Sequence, residues 1–203
     1  GDVYKRQRFI WLRSLYNFAT AKYLQNHKPV EEQLVPEGHS VRFTYLTTAI
    51  AMYIYHLTHD LDNYTHELFK TLKISWNHMV KKRMFATGGI GSLPVIEGFG
   101  KDYELDPEYA YCETCAGIGS IYWNWYMSLL TNNAKYADLL EWQLYNAVLV
   151  GMGKNGKSYL YRNPLSTKDL VRKEWYSVPC CPSNISRTIA SIGSYIYSYN
   201  LEN

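Results

Sequence analysis

The chain has 203 residues, 47% hydrophobic and 19% charged, which is enough apolar material for a packed core and argues against general disorder. A net charge of +3 with no long Lys/Arg block argues against a nucleic-acid surface. No apolar run is long enough to cross a bilayer and no signal-peptide pattern is visible, so no membrane partner is expected and the cytoplasm is the expected compartment.

Asp2-Val-Tyr-Lys-Arg-Gln7, led by Gly1, reads as a translated sequencing-adapter remnant, so residues 1–7 are set aside as non-native and 8–203 are taken as the domain. Arg8 to Leu24 carries apolar residues at spacings of three and four, a helical stripe. His27 to Gly38, with Pro29 and Pro36, reads as a loop. Val41 to Leu57 is apolar on nearly every side, which predicts a buried helix. Asp60-Leu-Asp62 breaks it and offers an N-cap. Leu68 to Met84 is a further helix, with Lys81, Lys82 and Arg83 where cations suit the dipole.

Ala86 to Pro107 is glycine-punctuated and reads as a long loop, a place where function concentrates. Glu113 to Leu130 and Ala137 to Leu149 then read as helices. Asn155-Gly156 followed by the alternating Lys157 to Asn163 signals a β-hairpin. A polar loop runs to about Pro179, and helical spacing resumes over Ser183 to Tyr199. The sum is about six helices in pairs with one short β-insertion, suggesting an α-helical toroid or solenoid. Six helices cannot close a ring of twelve, and Ile192 to Leu201 is still apolar where the chain stops, so an internal fragment is expected.

The 20 Tyr and 6 Trp suit a carbohydrate cleft and equally fill ordinary helix interfaces. All four cysteines fall in two clusters, Cys112 with Cys115 and Cys180 with Cys181. In a reducing compartment such pairs suggest metal or thiol chemistry. A structural four-cysteine zinc site is one reading, although adjacent cysteines are unusual in it; buried inert thiols are another. Glu113 and Cys115 would point about 200° apart on a regular helix, so local geometry favours Cys112 over Glu113 as a ligand unless the helix start is irregular. The acidic loop offers Glu97, Asp102, Glu104, Asp106 and Glu108. Most of these suit a solvated loop, but Glu97 lies in Val95-Ile-Glu-Gly-Phe-Gly100, where apolar neighbours would desolvate it and favour its acid form.

Ala86-Thr-Gly-Gly-Ile-Gly-Ser92, Glu97-Gly-Phe-Gly100, Ala110-Tyr-Cys-Glu-Thr-Cys-Ala116, Leu144-Tyr-Asn146 and Cys180-Cys-Pro-Ser-Asn184 together resemble glycoside hydrolase family 127, the β-L-arabinofuranosidases, from about Glu37 to the end. The resemblance implies an all-α fold, part of an (α/α)6 barrel with a short β-hairpin insertion. It implies retaining hydrolysis of β-L-arabinofuranosides by a zinc-bound cysteine. Carried over by motif, Glu113, Cys115, Cys180 and Cys181 would hold Zn2+, with Cys180 the nucleophile and Glu97 the acid/base. This displaces the geometric preference for Cys112. His39, Glu141 and Tyr161 would bind the sugar. For His39 the plain alternative is a helix cap, and for Tyr161 simple packing. Partners implied are a carbohydrate and a homodimer formed through regions outside this chain. Rival expectations are a non-catalytic module with a structural zinc site, and a lyase or epimerase using His or Tyr as base.

Overall fold

The computed structural model describes residues 18–57 and 62–197. The adapter-like segment, most of the first helical stripe, Asp60-Leu61 and the last six residues lie outside the described residues. Among the described residues six α-helices follow in order: α1 Phe18–Tyr23, α2 Ser40–His56, α3 Asn63–His78, α4 Thr114–Thr131, α5 Ala134–Gln143 and α6 Cys180–Ala190. The fold is all-α. None of the helices among the described residues is long and apolar enough to span a membrane.

Local chemistry sets the helix limits. Asp62 caps α3 by accepting from the Thr65 amide at 2.8 Å, so α3 begins well before the expected Leu68. At its other end α3 widens into a π-type turn over Met79–Arg83. Helices α4 and α5 form a hairpin across Asn132, whose φ of 49° is the left-handed conformation asparagine tolerates, and Asn133, which caps α5. The expected helix to Leu149 is regular only to Gln143 and continues as a π-type turn over Leu144–Val148.

Helix α4 is the hub, packing chiefly on α2 and α5 and also touching α6. It is buried on nearly all sides, with Ile118, Ile121, Trp123 and Met127 fully enclosed. Gly119 allows the close approach of α2, because a Cβ there would collide with the Thr44 side chain. Phe43 stands edge-on to Phe99 and Trp123 with ring centroids 5.3 and 5.7 Å away. The expectation of a wholly buried α2 is corrected. Phe43, Thr44, Thr47, Ala51 and Ile54 form its buried stripe, whereas Met52, Tyr53 and Tyr55 are exposed. Its apolar character is wider than the contact it makes.

A buried polar chain ties three helices to the glycine loop. Trp76 Nε1 donates to Asn124 Oδ1 at 2.7 Å, and Asn124 Nδ2 donates to Gln143 Oε1 at 3.0 Å. Gln143 Nε2 then donates to the Gly88 carbonyl at 2.8 Å. Every member is satisfied, which makes the chain specific rather than costly.

The expected hairpin is reduced to isolated bridges, Met152 with Tyr159 and Tyr159 with Lys173. Tyr159 and Lys173 exchange both backbone bonds, at 2.8 and 3.0 Å, but no run of paired residues extends them into a strand. The turn at Gly156, φ 68°, is present as read. Two sequence neighbours of this segment matter more: the Thr114 amide donates to the Tyr161 carbonyl at 2.9 Å, and the Asn163 amide to the Tyr111 carbonyl at 3.0 Å. The extended piece therefore pins the start of α4.

Candidate active site

Two helix N-termini meet. Glu113 and Cys115 stand at the start of α4, and Cys180 and Cys181 are the first residues of α6. Glu113 is the N-cap, with non-helical φ/ψ of −59° and 133°. The irregular helix start that a shared site requires is thus present, and Glu113 and Cys115 face the same place. The ligating atoms of Glu113, Cys115, Cys180 and Cys181 all lie within 4.8 Å of one another. Cys115 Sγ is 3.3 Å from Cys181 Sγ, and Cys180 Sγ is 4.0 Å from Cys181 Sγ. Glu113 Oε1 lies 3.9 and 3.7 Å from the Cys180 and Cys181 sulfurs.

Cys112 goes elsewhere. Its backbone takes a left-handed φ of 42°, which swings the side chain away into an apolar pocket with Phe85 and Ala110. Burial pushes that thiol up to about 12, as expected of an inert thiol.

The cluster is electrostatically under-compensated. Burial pushes the Glu113 carboxyl up to about 8 and the Cys180 thiol up to about 11. Contact with Cys115, together with burial, raises the Cys181 thiol further. Only Cys115 is pulled down, to about 7, by the neighbouring Cys181 and by Asn184, whose Nδ2 donates to its sulfur at 3.1 Å. Glu113 is only 3% exposed, and its Oε2 is buried without a hydrogen-bond partner. Four acidic groups in one dry place cannot all ionise unaided. A divalent cation held there would resolve this, and the donor set fits zinc: sulfur spacings of 3.3 and 4.0 Å bracket the edge of about 3.8 Å that Zn–S bonds of about 2.3 Å give in a tetrahedron.

A second group, His39, Glu97 and Glu113, also has its ligating atoms within 4.8 Å of one another, so Glu113 borders both clusters. His39 serves as both cap and partner. Its Nδ1 accepts from the Val41 and Arg42 amides at 3.2 and 3.4 Å. That leaves Nε2 to carry the proton and donate to Glu97 Oε2 at 3.1 Å. Burial lowers the His39 pKa, which favours the neutral ring. Tyr111 OH donates to the other oxygen, Glu97 Oε1, at 3.0 Å. The Glu97 backbone has a strained φ of 49°, held where Ser40 donates to its carbonyl from both amide and hydroxyl, at 3.1 and 2.9 Å.

The apolar wall expected around Glu97 is absent: Val95 is 95% exposed and the Glu97 side chain 36% exposed. Polar donors hold this carboxylate instead. Asp102 is equally unlike a solvated loop acid, since it accepts from His78, Lys82 and Arg83 at 2.7, 3.0 and 3.0 Å.

Tyr161 OH lies 3.0 Å from Cys180 Sγ. Glu141 is exposed on α5, and among the described residues its side chain joins neither cluster. Tyr111 and Asn184 received no role in the sequence reading, although both lie inside the motifs quoted there. A cleft of about 410 Å³ opens beside Tyr111 and Tyr161.

The class to which the chain belongs is that of the glycoside hydrolases. The family model described as beta-L-arabinofuranosidase, GH127 catalytic domain, matches residues 6–194, and the chain belongs to that family. A curated relative, the non-reducing end beta-L-arabinofuranosidase of Bifidobacterium longum subsp. longum, is 36% identical over 193 residues, 89% of this chain and 28% of the relative. Among solved structures, the GH127 beta-arabinofuranosidase BT3674 superposes with a TM-score of 0.83 at 39% identity, over 95% of this chain and 30% of that one. A GH127 beta-L-arabinofuranosidase from Geobacillus stearothermophilus T6 gives 0.82 at 37% identity, over 88% of this chain and 29% of that one. The chain therefore spans under a third of the length of these relatives.

Proposed function

We propose that residues 8–203 form part of an (α/α)6-barrel catalytic domain that releases arabinose, with retained configuration, from β-L-arabinofuranosides or arabinose-containing glycans. The observation that carries this is the shared border at Glu113, whose carboxylate lies within 4.8 Å both of the Cys180 sulfur and of the Glu97 carboxylate. A nucleophile and a proton donor thus flank one small space, as retention by double displacement requires. Family membership and the similarity to named arabinofuranosidases support the choice of sugar.

In the first half-reaction the Cys180 thiolate attacks the anomeric carbon, forming a C–S bond as the glycosidic C–O bond breaks. Protonated Glu97 gives its proton to the departing oxygen. In the second, the Glu97 carboxylate takes a proton from water while that water's oxygen attacks the same carbon. The C–S bond breaks and Cys180 returns as thiolate. His39 Nε2–H and Tyr111 OH orient the Glu97 carboxylate, one at each oxygen. Tyr161, 3.0 Å from the Cys180 sulfur, donates to it as thiolate and, with His39 and Glu141, is assigned to the sugar hydroxyls. The chemistry zinc would supply, held by Glu113, Cys115, Cys180 and Cys181, is positive charge that keeps these thiols deprotonated near neutral pH.

The test is Cys180→Ser in the full-length protein carrying this chain. Turnover of an aryl β-L-arabinofuranoside should fall by more than about 10⁴-fold, with protein-bound zinc counted in the same samples. Retained turnover would exclude the thiolate mechanism. A non-catalytic zinc module would show no turnover in the wild type either.

A further inference from the structure

The three sulfurs of the cluster keep different company. Cys180 Sγ meets the Tyr161 hydroxyl at 3.0 Å, and Cys181 Sγ the Tyr161 carbonyl at 3.8 Å. Cys115 Sγ instead receives a nitrogen donor, Nδ2 of Asn184, at 3.1 Å. Asn184 has no part in the chemistry above. It stands on α6 four residues beyond Cys180 and three beyond Cys181, the spacings that share their face of the helix. From there its side chain reaches across to the first turn of α4.

The sense of that amide is fixed from its other end. Arg187 Nη2 donates to Asn184 Oδ1 at 2.8 Å. A guanidinium has no acceptor, so the amide oxygen must face it and the NH2 must face the sulfur. The reversed amide would set N–H against N–H at one end and oxygen against sulfur lone pairs at the other. The same Arg187 nitrogen donates to the Tyr45 hydroxyl on α2 at 3.3 Å. Tyr45 in turn stands edge-on to Tyr122 of α4, with ring centroids 6.4 Å apart. The backbone of this turn is held as well. Thr188 Oγ1, in a fully buried residue, donates to the Asn184 carbonyl at 2.8 Å and so accepts from the Tyr122 hydroxyl at 2.7 Å. Side chains from three helices thus combine to aim one N–H at one sulfur. An N–H so aimed stabilises negative charge on that sulfur, as partners behind a metal ligand do.

We propose that Asn184 is a positioning residue, locked in sense by Arg187, that fixes Cys115 as the standing thiolate ligand for zinc and leaves Cys180, whose near partner is a hydroxyl, as the sulfur free to react. This rests on the zinc assignment in the reading above.

The full-length protein carrying this chain should be compared with Asn184→Ala, Asn184→Asp and Arg187→Leu by chelator competition for added zinc. Asn184→Ala should weaken retention by about tenfold and Asn184→Asp by about a hundredfold. The Asp variant discriminates, because it keeps the shape and the Arg187 contact but sets an acceptor against the sulfur. A merely structural residue would tolerate Asp better than Ala, so retention in Asn184→Asp equal to or above that in Asn184→Ala overturns the proposal. Arg187→Leu should fall between wild type and Asn184→Ala, and wild-type retention there overturns the locking role of Arg187. Cobalt substitution gives a second readout. In Asn184→Ala the sulfur-to-cobalt charge-transfer band should move to lower energy, since the lost N–H had stabilised the sulfur lone pair. An unmoved band overturns the proposal whatever the retention. Neither readout needs turnover. A protein that retains zinc in the expected order but cleaves no arabinofuranoside keeps Asn184 in its role and removes the hydrolase. One that cleaves arabinofuranosides without retaining zinc does the reverse.

Discussion

Asp102 and Glu113 are carboxylates from the same stretch of chain, placed in opposite circumstances. Asp102 sits among His78, Lys82 and Arg83, and those hydrogen bonds hold its carboxyl well below the usual carboxylate range. Glu113 sits among thiols, and burial holds its carboxyl up to about 8 with one oxygen left without a partner. One knot is complete and ties the loop to the end of α3. The other is incomplete by charge and calls for a cation. A fully paired charge is architecture; a buried charge left short is where the chemistry is to be sought.

The sharpest way to test the contrast is at Glu97, the intermediate case, held by two neutral donors. Glu97→Gln should lower kcat of the full-length protein by about 10² to 10⁴-fold while leaving its melting temperature within a few degrees. Glu113→Gln should weaken retention of added zinc by about a hundredfold, read by competition with a chelator, without unfolding the metal-free protein, since Glu113 Oε2 has no hydrogen bond for the substitution to break and burial already favours the uncharged carboxyl. If Glu113→Gln instead unfolds the metal-free chain, the cluster is architecture too and the contrast fails. Asn124→Leu breaks the polar chain shared by both regions. It leaves Trp76 Nε1 and Gln143 Oε1 without partners and should cost about 1–3 kcal/mol for each, measured by denaturant unfolding.

The smallest effects are in pH. Asp102 has a folded pKa below its unfolded one, so its contribution is present above about pH 4 and is lost as pH falls through that value toward the lower folded pKa. Asp102→Asn should therefore be less stable than wild type at pH 6, and the gap should close on acidification. His39, whose folded pKa is depressed by burial, is a base that the unfolded chain protonates first. Stability should then be full above about pH 6.5 and fall as pH drops through it, a slope that His39→Gln removes.

Much of the scaffold was legible because it follows from local signals. Asp62 capped α3, Asn155-Gly156 turned the chain, and α4 ran from within a residue of its expected start. What escaped was non-local. Whether Tyr53 and Tyr55 are covered depends on what packs against α2, which no periodicity records. The hairpin failed because pairing partners for residues 157–163 were divided between Met152, Lys173 and the start of α4. At the site, spacing alone preferred Cys112, because regular helix geometry was assumed for residues that lie before the helix. The motif resemblance named Glu113 instead, and the N-cap conformation of Glu113 with the left-handed turn at Cys112 shows how the two exchange places. Tyr111 and Asn184 escaped because a hydroxyl and an amide have no spacing signature.

The polar chain from Trp76 to Gly88 has a dynamic consequence. A glycine-rich loop would ordinarily open on its own, far below the unfolding free energy of the domain. Here its carbonyl is stitched to an indole in the interior through two amides, so that end of the loop cannot peel away without exposing three core groups at once. Amide protons around Gly88 should exchange with deuterium on the schedule of α4, not of a surface loop, and this segment should behave as a fixed jaw rather than a lid.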